Sequence, residues 1–206
     1  MVSLKKFKKI LILSGGISEE RDISQSSANH VYETIKNEAR TKILNVSDNA
    51  DQLLINIQKF NPDVIFNCLH GYFGEDGQIQ SILNYLKIPY THSGVLTSAI
   101  LMNKVISKKL FQSLGIRSPE FFNEYNINNK KLKFPLIIKP VNGGSSYGLI
   151  KVNNKKSLSE YLNKKKIKKS KMLIEEFIFG RELTVGILEN KICGVMEIKF
   201  SEELYD

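Results

Sequence analysis

An α/β layer built on a parallel sheet, followed by an α+β module of mostly antiparallel strands, is the fold class this sequence predicts. Three observations predict it. In the first half, continuous apolar runs end in glycine turns and lead into helical patterns, twice over. After "THSGV" the texture changes to a helix followed by a series of short strands. Those later strands are separated by turn residues rather than by further strand–helix alternation.

The elements follow in order. "KKILILSGG" reads as a strand buried on both faces, because its apolar residues do not alternate with polar ones. Ala28, Val31 and Ile35 then recur at helical spacing. "NPDVIFNCLHG" repeats the strand after a proline-containing turn, and "GQIQSILNYLKIPY" repeats the helix. Within it Ile79, Ile82, Leu83 and Leu86 fall at i, i+3, i+4 and i+7, one apolar stripe. This places a first domain at residues 1–96 and a second at 97–206. Residues 97–114 are expected to form one helix, closed by Gly115 and followed by Pro119. The strands "FPLIIKP", "LIKV", "MLIEEFI", "ELTVGILE" and "KICGVMEIKF" come next, with a helix expected over 157–166 and a hairpin turn at Glu189-Asn190. The asparagine run near 126–129 reads as a loop tip.

Charge and composition narrow the function classes. The formal charge of +9 suggests a nucleic-acid partner, but arginine occurs only at positions 21, 40, 117 and 181. Recognition of bases and phosphates in two-pronged fashion favours arginine over lysine. The lysine cluster at 163–171 has no interleaved aromatic on which a base could stack. The reading is therefore a solvated lysine-rich surface and no nucleic-acid partner. No apolar run is long enough for a membrane span, and the N-terminus lacks the apolar stretch and cleavage site of a signal peptide. Cys68 and Cys193 lie in apolar strand-like runs and are expected to be buried, reduced thiols, which points to the cytoplasm.

Three constellations can carry chemistry. In "IIKPVNGGSSYG" Lys139 ends a buried strand and a Gly/Ser loop follows at once. A lysine there can bury its stem and present its ammonium, and unblocked backbone N–H groups can converge on an anion. A Gly/Ser loop is as readily a plain hairpin, and the Gly-Lys-Ser/Thr ending of a P-loop is absent. In "LIEEFIFGREL" Glu175, Glu176 and Glu182 can accept hydrogen bonds from an adenine amino group and ribose hydroxyls, or be ordinary exposed strand-end charges. In "SGGISEERDIS" with "CLHGYFGEDG", both segments follow strands that should end on one edge of a parallel sheet, where open α/β sheets bind ligands. Glu20, Arg21, His70, Gly71 and the Glu75-Asp76-Gly77 turn would then share a crevice. A carboxylate there can hold an ammonium, and His70 and Arg21 can hold or orient acidic groups; taken singly, His70 reads as a structural histidine rather than a catalyst. The three histidines offer no paired spacing with either cysteine, so zinc is not expected.

"GGISEERDIS", "CLHGYFGEDGQIQSILNYLKIPYTHSGVLTSAILMNK", "FPLIIKP…GSSYG" and "LIEEFIFGRELTV" resemble the D-alanine–D-alanine ligases, ATP-grasp enzymes of cell-wall synthesis. The similarity runs in order along nearly the whole chain. It implies a pre-ATP-grasp, Rossmann-like first domain and an ATP-grasp nucleotide-binding second one. It also implies ATP and Mg2+ as cofactors, D-alanine as substrate and a homodimer for the full-length protein. Residue by residue, Lys139 and Lys104 match lysines that bind ATP, with Ser146 in the loop that closes over the phosphates. Glu175, Glu176 and the backbone of Ile178 match the adenine-facing segment, and Glu182 the ribose-binding acid. Glu20 matches the acid that holds the first D-alanine's amino group, His70 lies beside that amino acid, and Ser145 helps tie the loop to the substrate site. The roles of Glu20 and Ser145 are classed as catalytic by this resemblance.

Three departures stand out. Asn103 occupies a position where the family usually has aspartate. The loop "VNGGSSYG" lacks the acid that normally precedes Gly-Ser-Ser and the small aliphatic residue that follows it. The chain stops at "SEELYD", where the family continues into a loop with a catalytic tyrosine and lysine, the metal-binding residues and an arginine. The expectation is thus a C-terminally incomplete ligase whose metal ligands lie beyond residue 206 and which is inactive alone. The alternative is a non-catalytic remnant that binds nucleotide or D-alanine. Whether the second substrate is D-alanine, D-lactate or D-serine stays open.

Overall fold

The computed structural model describes residues 7–122, 132–164 and 172–199. The chain divides into two compact units, Met1–Ile116 with Val141–Gly144, and Arg117–Pro140 with Ser145–Asp206. The boundary expected at 96/97 therefore falls inside the first unit, which keeps the helices that follow it.

The first unit is a three-stranded parallel sheet with helices on both faces. Its elements are β1 (Lys9–Gly15), α1 (Arg21–Ile35), β2 (Arg40–Val46), α2 (Ala50–Phe60), β3 (Val64–Asn67), α3 (Gln78–Tyr85), α4 (Val95–Met102) and α5 (Lys104–Ser113). The sheet order is β2-β1-β3, all parallel, with Tyr90 adding one further parallel bridge to Ile65. The double-sided burial of β1 explains its unbroken apolar sequence. Ile10 and Ile12 pack with Ala28 and Ile35 of α1, while Leu11 and Leu13 pack with Leu53, Ile57, Ile79 and Leu83 from α2 and α3. Strand β2 and helix α2 were not among the expected elements; β2, an edge strand, is buried only at Leu44 and Val46. At the start of β1, the Asp63 carboxylate accepts hydrogen bonds from the backbone N–H of Lys8 and Lys9, at 2.7 and 2.9 Å. Those bonds hold its carboxyl below the usual aspartate value.

The single helix expected over 97–114 is two helices. Asn103 adopts an extended conformation between them (φ −89°, ψ 103°) and its Oδ1 accepts from the N–H of Val105 and of Ile106, each at 3.1 Å. Asparagine is a preferred N-cap because its short side chain satisfies these otherwise unpaired donors. The apolar periodicity runs on through the break and so hides it. Lys104 becomes the first residue of α5.

In the second unit, β4 (Phe121–Phe122), β5 (Leu136–Pro140), β6 (Ile150–Val152) and β7 (Met172–Glu176) form an antiparallel sheet of order β4-β7-β5-β6. One face packs on α6 (Lys155–Lys164): Leu136, Ile138, Val152 and Ile174 meet Leu158. The opposite face carries Ile137, Lys139, Lys151, Leu173 and Glu175, which follows from the register Ile137↔Lys151, Ile137↔Glu175 and Lys139↔Leu173. The asparagine run near 126–129 and most of the lysine cluster lie outside the described residues. So do positions 165 and 166 of the expected helix.

Strands β8 (Glu182–Leu188) and β9 (Lys191–Ile198) form a two-stranded antiparallel ribbon. The turn residues Glu189 and Asn190 both have positive φ, 48° and 64°, the mirror-image turn that matches strand twist. Leu183, Val185, Ile187, Ile192, Val195 and Met196 are all exposed. Cys193, expected to be buried, is exposed with them, because no second layer covers the ribbon among the described residues. Cys68 is buried, and desolvation pushes its thiol up to about 11. At pH 8 a thiol reagent is therefore expected to label Cys193 quickly and Cys68 only on unfolding. Two thiols reacting at one rate would contradict this placement.

Candidate functional site

The carboxyl ends of β1 and β3 deliver the two loops that the sequence paired. Gly15 and Gly16 turn the chain at φ 79° and 90°, and the next residues run back over the end of the sheet to start α1. Glu20 stands at the N-cap of that helix, but its side chain makes no capping bond. Ser18 ties the loop to the other strand: its hydroxyl donates to the carbonyl of His70 at 2.7 Å and accepts from the N–H of Glu20 at 3.2 Å. The Glu20 carboxylate lies so close to Gly71 that a Cβ there would sit 2.7 Å from Oε2. A Cβ on Gly144 would lie 3.4 Å from Oε1. Glycine at both positions lets bare backbone approach the carboxylate. Gly71 also has φ +67°, where a side chain is strained.

His70 is held on two sides. Its Nε2 is 3.4 Å from the Ser27 hydroxyl, and its Nδ1 is 3.9 Å from Glu75 Oε1. Glu75 in turn accepts from the N–H of Gly71 at 2.8 Å through Oε2. Asp76 instead closes its own turn, accepting from the backbone N–H of Phe73 and Gln78 and from the Gln78 side chain. Gly77, at φ 93°, then starts α3. Arg21 donates to the carbonyl of Gly16 at 2.9 Å, bracing the first glycine turn. So the structure gathers Glu20, His70, Gly71 and Glu75, while Asp76, Gly77 and Arg21 shape the backbone around them.

A residue not singled out from the sequence joins this group. His92 has φ 102°, rare for any residue with a side chain. Its Nδ1 lies 3.1 Å from the Asn67 amide nitrogen, which can only donate, so the imidazole proton sits on Nε2. Burial pushes the His92 pKa down, with Glu75 opposing and His70 reinforcing the shift. Nothing in a lone "THS" signals a left-handed backbone. His92, Glu75, Ser93, Thr97, Lys104 and Gly143 line an open pocket of about 460 Å³, whose lining does not include Glu20 or His70. Lys104 lies within it because Asn103 starts α5 there. Its N–H donates to the carbonyl of Val141 at 2.9 Å and its ammonium to that of Gly143 at 2.6 Å.

In the second unit, Lys139 and Glu175 form an ion pair on the sheet face opposite α6. They are diagonal neighbours across β5 and β7, Lys139 facing Leu173 and Glu175 facing Ile137. The Glu175 side chain is only 7% exposed, so it is not an ordinary exposed strand-end charge. Glu176 falls on the other face, and its N–H donates to the carbonyl of Glu120 at 2.9 Å. Ile178 is exposed beyond the end of β7, and Glu182 opens the exposed ribbon. Ser145 and Ser146 both have positive φ, 48° and 54°. Lys151 was also missed: its ammonium sits 4.3 Å from the centroid of the Phe177 ring.

Comparisons with known proteins bear on these arrangements. A family model described as D-ala D-ala ligase C-terminus matches residues 110–206, and one described as D-ala D-ala ligase N-terminus matches residues 45–93. The D-alanine–D-alanine ligase of Pelagibacter ubique is 49% identical, with 97% of this chain and 67% of the relative covered. That of Wolbachia pipientis subsp. Culex pipiens is 41% identical, covering 96% and 63%. Among solved structures, a D-alanine–D-alanine ligase from Bacillus anthracis is similar with TM-score 0.78 and 33% identity, covering 97% of this chain and 67% of that one. The same organism's ligase complexed with ATP has TM-score 0.79 and 29% identity, covering 97% and 66%. The chain thus spans 63% to 67% of the length of these curated relatives.

Proposed function

This chain belongs to the D-alanine–D-alanine ligase family, and from that premise we propose that it serves the ATP-dependent ligation of two D-alanine molecules through a D-alanyl phosphate, supplying a peptidoglycan precursor. In this reading the first unit binds the first amino acid, and the second unit forms part of an ATP-grasp nucleotide-binding domain. A cytoplasmic, homodimeric enzyme belongs to the same reading. No described helix is long and apolar enough to cross a membrane.

The observation that carries the proposal is the Glu20 carboxylate seated against the glycine backbone at Gly71 and Gly144, beside His70. A small α-ammonium can approach a carboxylate so placed past bare backbone at positions 71 and 144, and a charge-assisted hydrogen bond would hold it. His70, flanked by Ser27 and Glu75, orients the same molecule. In the second unit Lys139 supplies positive charge for the phosphates, and Ser145 and Ser146 supply backbone N–H groups in the left-handed turns that favour anions; Lys104, in the first unit, is read as a further nucleotide-binding lysine. Glu175 and the backbone of Glu176 and Ile178 meet the adenine, and Glu182 the ribose. Magnesium, when bound, neutralises charge on the transferring phosphoryl group. Among the described residues no group of three or more His, Cys, Asp or Glu could hold a metal ion, so no metal role is assigned to them.

Titration of the chain with D-alanine, L-alanine and ATP tests the reading. D-Alanine is expected to bind in preference to L-alanine, and Glu20→Gln to weaken it about tenfold or more while leaving ATP affinity unchanged. Equal binding of the two enantiomers, or a Glu20→Gln chain that binds D-alanine normally, would refute it.

A further inference from the structure

We propose that Lys151 is a positioning residue of the nucleotide site, which acts by fixing the Phe177–Phe179 segment that presents backbone to the purine. The proposal rests on the nucleotide reading above and assigns that site a residue it did not include. Lys151 lies on β6 opposite Ile137, which is itself opposite Glu175 on β7. Lys151, Ile137, Glu175 and Phe121 thus form one cross-strand row on the face that carries Lys139. β7 ends at Glu176, but its pairing runs one residue further, with the N–H of Phe177 donating to the carbonyl of Pro135 at 3.2 Å.

Beyond that bond the backbone has few supports of its own. Ile178 and Phe179 are 58% and 75% exposed. The two rings hold each other edge to face, with centroids 4.8 Å apart and planes at 87°. The Lys151 ammonium sits over this pair, 4.3 Å from the Phe177 centroid and 5.9 Å from that of Phe179. A cation at such distances is attracted by the negative faces of the rings. Lys151 therefore clamps the pair from β6, two strands away from β7 across β5, and the peptide groups between the rings inherit the orientation. Those peptide groups, around Ile178, are the ones that would read the edge of an adenine. The lysine's charge acts on the rings, so its influence on the ligand is indirect and independent of phosphate.

That independence makes the idea testable with adenosine and ATP as separate probes, titrated by NMR into the wild-type chain, Lys151→Met and Lys151→Arg. Lys151→Met is expected to weaken adenosine and ATP by the same factor, about fivefold to tenfold, whereas Lys151→Arg, which keeps the cation over the rings, stays within about twofold. Loss confined to ATP would make Lys151 a phosphate contact and overturn the proposal. Unchanged affinity for both would leave it a plain packing residue and overturn it too. Should Lys151→Met fail to fold, the wild-type titration still decides. Phe177 and Phe179 ring protons must shift on adding adenosine, and static rings overturn the proposal. If the wild-type chain binds neither probe, the nucleotide reading itself falls, and this inference with it.

Discussion

Lys139→Met is expected to lower nucleotide affinity about ten- to hundredfold and to destabilise the second unit at the same time. The substitution keeps the apolar stem and removes only the ammonium. A phosphate then loses a charge-assisted contact. The structure adds a second consequence that the sequence did not suggest. Glu175, nearly inaccessible at 7%, loses its ion pair with Lys139. Breaking an ion pair on a buried carboxylate is costly, and because Lys139 itself is partly exposed the loss should be about 2–3 kcal/mol, below the usual range for fully buried pairs. The stability effect is isolated in Lys139→Met/Glu175→Gln, in which no carboxylate remains at position 175 and thermal stability should largely return. The nucleotide effect is read on the single variant, because Glu175 belongs to the adenine contact. A stability change below about 0.5 kcal/mol in the single variant, with normal ATP binding, would make Lys139 a surface lysine.

Gly74→Ala is expected to cost about 2–4 kcal/mol and to lower the melting temperature by roughly 5–15 °C. The reason is room. A Cβ on Gly74 would lie 2.5 Å from the Cβ of Leu69, 2.7 Å from its carbonyl carbon and 2.9 Å from its oxygen. Leu69 is fixed in the core, and two of those atoms are backbone, so neither side can yield cheaply. The carbonyl of Gly74 also accepts from the side chains of Asn67 and Gln80, at 3.0 and 2.8 Å in a buried site. Moving the backbone to relieve the clash would strain both bonds. It would also disturb Glu75 and His70, so D-alanine affinity should fall with stability. Gly94→Ala is the control: nothing lies within 4 Å of its Cβ position, and about 0.5 kcal/mol or less is expected. Equal melting temperatures for the two variants would show that this packing account is mistaken.

The parallel layer was legible because its strongest signals are local. Ile10 to Leu13 are apolar without alternation, Gly15 and Gly16 end the run, and the 79–86 stripe gives a helix. The loops after β1 and β3 could be paired from the sequence because parallel strands must end on one edge. The break at Asn103 was not legible, since capping depends on one side chain that a helix interior also tolerates. Cys193 misled because an apolar alternating run implies a covering layer, and the ribbon has none among the described residues. Residue types alone singled out Glu20 and His70 as candidates in the first unit and Lys139 in the second. The Lys139–Glu175 pair required the antiparallel register, and His92 and Lys151 required tertiary contacts between segments far apart in the chain.

The double-sided burial of β1 leaves its alignment underdetermined by its own side chains. Sliding the strand by one residue would exchange isoleucines for leucines on each face, isomers of equal volume, so hydrophobic pattern alone discriminates weakly between the two alignments. What pins the strand is found at its ends. At one end the Asp63 carboxylate fixes the amides of Lys8 and Lys9; at the other, Gly15 and Gly16 must coincide with the turn. The clasp and the turn are separated by about 20 Å of extended chain. Asp63 therefore acts as the zero mark of a ruler whose far end is Glu20: a slip there would displace the carboxylate by a full residue while leaving the core almost as well filled. Because its carboxyl is held below the ordinary aspartate value, that mark stays charged further into acid than a free aspartate would.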